Sequence, residues 1–234
     1  MKRLLDLFCG AGGCSEGYRR AGFTPYGIDN DPKPLRHYPF PYACMDALEA
    51  MDKLLAGEGI TLSNGETLYL EDFVAFHASP PCQGYSRMRH LPWLKSKNYP
   101  MLIDIVRERL KETSKPWVLE NVMDSKLPAG WLCGTMFGYN FYRHRLFQSS
   151  FFWLQPGHPK HTFVIKPGKW FGNAGDLANK RVSICFPWMT KLEQRQAIPP
   201  VYTELEQRQA IPPVYTELEP VSYTHLTLPT KRIV

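Results

Sequence analysis

The chain has 234 residues, 44% of them hydrophobic and 21% charged, which suits one domain with a full core and room for a small appendage. No apolar run reaches the length of a membrane span, the N-terminus lacks a cleavable signal pattern, and the six cysteines (Cys9, Cys14, Cys44, Cys82, Cys133, Cys185) include no CxxC pair. These features point away from a membrane protein, a disulfide scaffold or a zinc ribbon and toward a cytosolic protein with reduced thiols, while the formal charge of +6 fits a polyanionic partner.

Residues 3–8 read as a buried strand, and Cys9-Gly10-Ala11-Gly12-Gly13 as a tight glycine turn opening a helix over 15–21. Glycines there let a ligand approach the backbone, and a helix start offers free N–H groups. A second strand, 24–28, ends in Asp29. A carboxylate near 20 residues past a glycine turn is where dinucleotide folds hold ribose hydroxyls, although a turn or capping role is equally open for Asp29. A short third strand, 42–46, ends in Asp46, which can also cap the amphipathic helix predicted over 47–55. A polar excursion, 57–72, precedes the apolar run Phe73-Val74-Ala75-Phe76. That run leads into Ser79-Pro80-Pro81-Cys82-Gln83, where the prolines end the strand and present Cys82 at its carboxyl end.

Residues 85–98 are basic and aromatic, with Arg87, Arg89, His90, Lys95 and Lys97 close together, which suits a phosphate backbone better than a merely solvated loop. Apolar positions at helical spacing predict a crossover helix over 101–113. A strand over 115–119 then delivers Glu120-Asn121-Val122 at the same sheet edge as Cys82. In Tyr142-Arg143-His144-Arg145 the two arginines share one face of an extended segment, either as surface charges or, beside Glu120, as ligands for a base or phosphate. An apolar strand is predicted over 151–153, followed by an irregular module to residue 181. His158 and His161 stand three apart with no second ligand pair near them in sequence, so no metal is expected.

Residues 192–204 (LEQRQAIPPVYTE) recur letter for letter as 205–217, and functional repeats drift and run longer than 13 residues. One reverse translation of VSYTHLTLPT, within 221–234, resembles a transposase-type sequencing adapter. The tail is therefore left out of fold reasoning, and the authentic C-terminus is expected to be missing.

Taken in order, Asp6-Leu7-Phe8-Cys9-Gly10-Ala11-Gly12-Gly13, Ser79-Pro80-Pro81-Cys82-Gln83, Glu120-Asn121-Val122 and Arg143-His144-Arg145 resemble successive motifs of the DNA cytosine-5 methyltransferases. The likeness is nearest to compact phage-type members, which share a segment like Ala197 to Thr203. The resemblance implies an α/β, Rossmann-like S-adenosylmethionine-dependent methyltransferase fold with a mostly parallel sheet. Its division would be a catalytic region 1–150, a small target-recognition region 151–190, a return segment 191–204, the copy 205–217 and the tail 218–234. It further implies S-adenosyl-L-methionine as cofactor, held by Asp6, Phe8, Gly10, Gly12, Gly13, Asp29 (ribose), Asn30, Asp46 (adenine) and Pro80. Catalysis would fall to Cys82, Glu120, Arg143 and Arg145, acting on double-stranded DNA, with a monomeric, cytoplasmic protein and no metal or membrane partner. RNA as substrate and a non-catalytic DNA-binding remnant are the alternative readings. The segment after Thr203, which in the family returns over the cofactor, is here replaced by the copy and tail.

Overall fold

The computed structural model describes residues 2–90, 98–139, 142–161, 188–190, 193 and 197–209. Three strand–helix units open the chain: β1 (Arg3–Leu7) with α1 (Gly13–Arg20), β2 (Thr24–Asp29) with the short α2 (Pro32–Leu35), and β3 (Tyr42–Cys44) with α3 (Ala47–Leu55). The polar excursion is a small hairpin, β4 (Ile60–Thr61) against β5 (Thr67–Leu68). β6 (Ala75–Ala78), α4 (Ile103–Glu112), β7 (Trp117–Val122), β8 (Gly130–Leu132) and β9 (Arg145–Ser149) follow, and α5 (Pro200–Gln209) returns last. None of the described helices is long and apolar enough to cross a membrane.

The main sheet has the order β3-β2-β1-β6-β7-β9-β8, parallel from β3 to β7 with an antiparallel edge made by β9 and β8. The chain winds outward from β1 through β2 to β3, then crosses back to lay β6 on the other side of β1. That reversal puts the turn after β1 and the loop after β6 side by side at the carboxyl edge, where open α/β sheets bind their ligands. Side chains alternate cleanly across the sheet. Leu5, Leu7, Phe76, Trp117 and Leu119 join the core beneath α3 and α4, whereas Leu4, Ala75, Val118 and Phe147 join the one beneath α1 and α5.

Several predicted boundaries shift. The strand expected over 73–76 lies two residues later and so includes His77, because pairing with β1 begins at Leu4↔Ala75. Glu120 lies inside β7 rather than just beyond it, since the antiparallel partner β9 extends the ladder through Val122↔Arg145. The strand expected over 151–153 does not form. Opposite it β7 has reached Pro116, which has no N–H to donate, and Ser150 makes the last ladder bond by donating its N–H to Trp117 O. β8 was not anticipated. Of the predicted target-recognition region, residues 162–187 lie outside the described residues, as do Lys95 and Lys97 of the basic loop and residues 210–234 of the copy and tail.

The return segment closes over the start of α1. Tyr202 and Thr203 are fully buried, Thr203 Oγ1 donates to Cys14 O (3.1 Å), and Trp188 Nε1 donates to Ala11 O (3.0 Å) in the glycine turn. Backbones meet closely at Gly17, where a Cβ would overlap Thr203 Oγ1 and the Pro200 carbonyl. Gly17→Ala should therefore push α5 off α1 at a cost of about 1–3 kcal/mol, read as a lower urea midpoint. An unchanged midpoint would show that this contact contributes nothing to stability.

Candidate active site

Four elements deliver the predicted side chains to one edge. Glycine makes the turn after β1 possible: Gly10 (φ +54°) and Gly12 (φ +91°) are left-handed, and Phe8 adopts φ +60° despite its side chain. Asp29, at the end of β2, braces this turn by accepting from Gly10 N–H (2.9 Å) and Asp31 N–H (2.9 Å). Burial raises its carboxyl above the ordinary range against those bonds and one from the Asn30 backbone. Asp46 caps α3 through the N–H groups of Leu48 (2.8 Å) and Glu49 (3.2 Å), so the capping half of its two predicted roles is present, and its side chain remains exposed.

Asp6 is the one polar residue in the buried part of β1, 4–7, directed at α1, where Ser15 Oγ donates to Oδ2 and is itself bonded to Tyr38 Oη at 2.8 Å. Its other oxygen has no hydrogen-bond partner. Burial pushes the Asp6 carboxyl from 3.8 up to about 7, opposed by Ser15. Between those values the unfolded chain has released a proton that the folded chain keeps, so stability falls as pH rises toward 7, by up to about 4 kcal/mol at pH 8. Asp6→Asn, which preserves an acceptor for Ser15, should raise the urea midpoint over wild type at pH 8, with the gain shrinking as pH falls to 4. An equal difference at both pH values would contradict this.

The loop after β6 is tied to β7 at two points. Asn121 Nδ2 donates to Pro80 O (2.9 Å), fixing the approach to Cys82, and Ser79 stands near enough to the Glu120 carboxyl to favour its anion. Glu120 is 4% exposed, and Arg145 Nε lies 3.3 Å from its Oε1 without hydrogen-bond alignment, leaving both atoms able to engage a ligand. Burial raises the Glu120 carboxyl above its usual range, outweighing Arg145, Arg143 and Ser79, which all favour the anion. Arg143 is pressed down to about 9 by burial and by Arg145, with Glu120, Tyr202 and Cys82 pulling the other way. Cys82, Glu120 and both arginines thus lie within electrostatic reach of one another, and the loop after β6 adjoins the start of α1 through Cys14 Sγ and Ser79 Oγ (3.9 Å).

Behind Glu120 runs a buried relay that sequence reasoning missed. Tyr18 Oη meets His77 Nδ1 (2.5 Å), and His77 Nε2 meets Ser79 Oγ (2.8 Å). Burial pushes His77 down to about 3, so the ring is neutral. A neutral ring offers one donor and one acceptor nitrogen, so His77 joins Tyr18 to Ser79, which stands beside Glu120. A histidine flanked by Phe76 and Ala78 was the available signal. Two further residues, Cys133 and His144, come together with His158 and His161, which the sequence left as an isolated pair. Burial works against ionisation of the Cys133 thiol, but hydrogen bonds from Thr135, His158 and His161 prevail and hold it below the usual range.

Residues 2–126 match the family model for C-5 cytosine-specific DNA methylase. The Type II methyltransferase M.AgeI of Thalassovita gelatinovora is 36% identical over 89 residues, covering 36% of this chain and 19% of that protein. Among solved structures, the Dnmt2 methyltransferase of S. pombe is 17% identical with a TM-score of 0.42 over 63% of this chain and 48% of its own. DNMT2 of Spodoptera frugiperda is 14% identical with a TM-score of 0.40, over 74% and 57% respectively. The chain thus spans about a fifth of the curated relative and about half of these structures.

Proposed function

The chain belongs to the C-5 cytosine-specific DNA methylase family, and from that premise we propose that it methylates carbon 5 of a cytosine flipped out of double-stranded DNA, through a covalent adduct on Cys82. The observation that carries this reading is the tie between the Cys82 loop and the Glu120–Arg145 pair, by way of Ser79 and Asn121, beside the glycine turn.

Carbon 5 of cytosine is too weak a nucleophile to take a methyl group unaided. The Cys82 thiolate adds at carbon 6, forming an S–C bond and an electron-rich enamine. Glu120, protonated, donates toward ring nitrogen 3 and so neutralises charge that appears as sulfur adds, while Arg145 engages the exocyclic oxygen of the base. After methylation, a base removes the carbon-5 proton, the electron pair re-forms the 5,6 double bond and the S–C bond breaks, returning Cys82. The cofactor S-adenosylmethionine would supply the methyl group on an electrophilic sulfonium. Three features fit it: a backbone at Gly10 with nothing within 4 Å of where a Cβ would stand, the half-exposed Asp29 carboxylate for ribose hydroxyls, and the unpartnered Asp6 oxygen for a cationic group. Phe8, Asn30, Asp46 and Pro80 would complete that side, whereas Gly12 and Gly13 admit the close packing of Tyr38 and of Ala197–Ile198 of the return segment.

Flipping a base costs a few kcal/mol in stacking, which Arg87, Arg89 and the neighbouring basic loop would offset through phosphate contacts. The test uses duplex DNA and RNA carrying 5-fluorocytosine with methyl-labelled cofactor. Fluorine cannot leave as a cation, so the methylated adduct is trapped. A labelled covalent complex with DNA is expected. Trapping only on RNA would move the substrate, and trapping on neither would overturn the proposed activity.

A further inference from the structure

Arg143 and Arg145 both lie within reach of Glu120, and the residue between them precedes β9. There His144 meets Cys133, which follows β8, and His158 and His161, which follow β9. One ligand atom from each lies within 4.8 Å of every other. Cys133 Sγ is 3.6 Å from His161 Nε2, and His161 Nε2 is 2.9 Å from His158 Nε2. In tetrahedral zinc sites, bonds of about 2.0–2.1 Å to nitrogen and about 2.3 Å to sulfur set ligand atoms roughly 3.3–3.6 Å apart. The widest pairs would close by about an ångström and the His158–His161 pair would open by about half an ångström to place an ion among the four, shifts that side-chain rotation supplies. We propose that Cys133, His144, His158 and His161 bind one zinc ion in a closed, four-protein-ligand site.

The surroundings support a built site. Thr135 Oγ1 donates to Cys133 Sγ (3.2 Å), a hydrogen bond that suits a metal-bound thiolate. Tyr142 stacks on the His161 ring with centroids 3.6 Å apart and planes at 12°, and Trp131 packs against His144 (5.2 Å) and His158 (4.7 Å). His158 and His161 are exposed, where water would hydrate separate imidazoles and side-chain entropy would spread them; convergence on a buried sulfur needs a compensating bond. The donor set holds nitrogen and sulfur and no carboxylate, which selects zinc over magnesium or calcium. With four protein ligands no position remains for substrate, so the role is structural: the ion would join the ends of β8 and β9 to the segment after them, and would pin the start of β9. This reverses the expectation of no metal.

Elemental analysis of the purified full chain should find close to one zinc per chain. After chelation, titration with Co2+ should give the visible bands of a tetrahedral site together with a thiolate-to-cobalt charge-transfer band. Cys133→Ser should lose the charge-transfer band, and His158→Ala or His161→Ala, at exposed positions that threaten the fold least, should weaken Co2+ binding by at least about 100-fold. Chelation should lower the Tm of wild type and leave that of the His158→Ala/His161→Ala double variant unchanged. Metal-free protein that gives no tetrahedral cobalt spectrum, or variants that bind Co2+ as wild type does, would overturn the assignment.

Discussion

Cys82→Ser is expected to lower methyl transfer to DNA by at least about 10³-fold and to abolish the adduct with 5-fluorocytosine DNA, with DNA affinity retained. The exchange replaces sulfur by oxygen at nearly constant shape, so it tests nucleophilicity rather than packing. A free thiol ionises near 8.5, so a useful fraction is thiolate at neutral pH, whereas a hydroxyl must lose its proton to a base as it attacks. The obvious candidate is already committed. His77 is the imidazole built into the loop's own strand, yet Tyr18 holds one ring nitrogen and Ser79 the other, and burial keeps it neutral with a pKa of about 3. Nothing about that ring lets it activate a hydroxyl at position 82. Gel-shift affinity for duplex DNA, measured beside turnover, separates lost chemistry from lost binding. A serine variant working within about tenfold of wild type would remove Cys82 from the bond-forming step.

The parts of this site readable from sequence are those in which a side chain contradicts its local context. Prolines before Cys82 and an acid after Trp117-Val118-Leu119 are poor choices for a core, and both lie toward the carboxyl ends of the paired parallel strands β6 and β7. Period-2 reasoning also placed Arg143 and Arg145 together near Glu120. What local reading missed depended on contacts between distant segments. The His77 relay needs Tyr18 from α1, 59 residues away. The Cys133–His161 contact spans 28 residues and requires the β8–β9 pairing, which no pattern in the glycine-rich stretch announced. The strand lost over 151–153 depended likewise on where a neighbour, Pro116, runs out of donors.

Glu120→Gln should lower kcat by about 10²–10⁴-fold with little change in KM, because glutamine reproduces the shape and neutrality of a protonated glutamate but cannot give up a proton. Burial lifts the Glu120 carboxyl above the ordinary range although Arg145, Arg143 and Ser79 all oppose it. The sign follows. Activity that needs the protonated acid holds below that raised pKa and declines as pH climbs through it, giving the wild type an alkaline limb that Glu120→Gln should lack. Ser79→Ala offers an independent control, since it removes a neighbouring hydroxyl that favours the anion and should move the limb to higher pH while leaving the low-pH plateau within about tenfold of wild type. A purely structural role for Glu120 would reduce activity evenly across pH in Glu120→Gln and leave the Ser79→Ala limb where it was. Profiles of that form would mean that the buried carboxyl holds the β6 loop in place and takes no part in moving a proton.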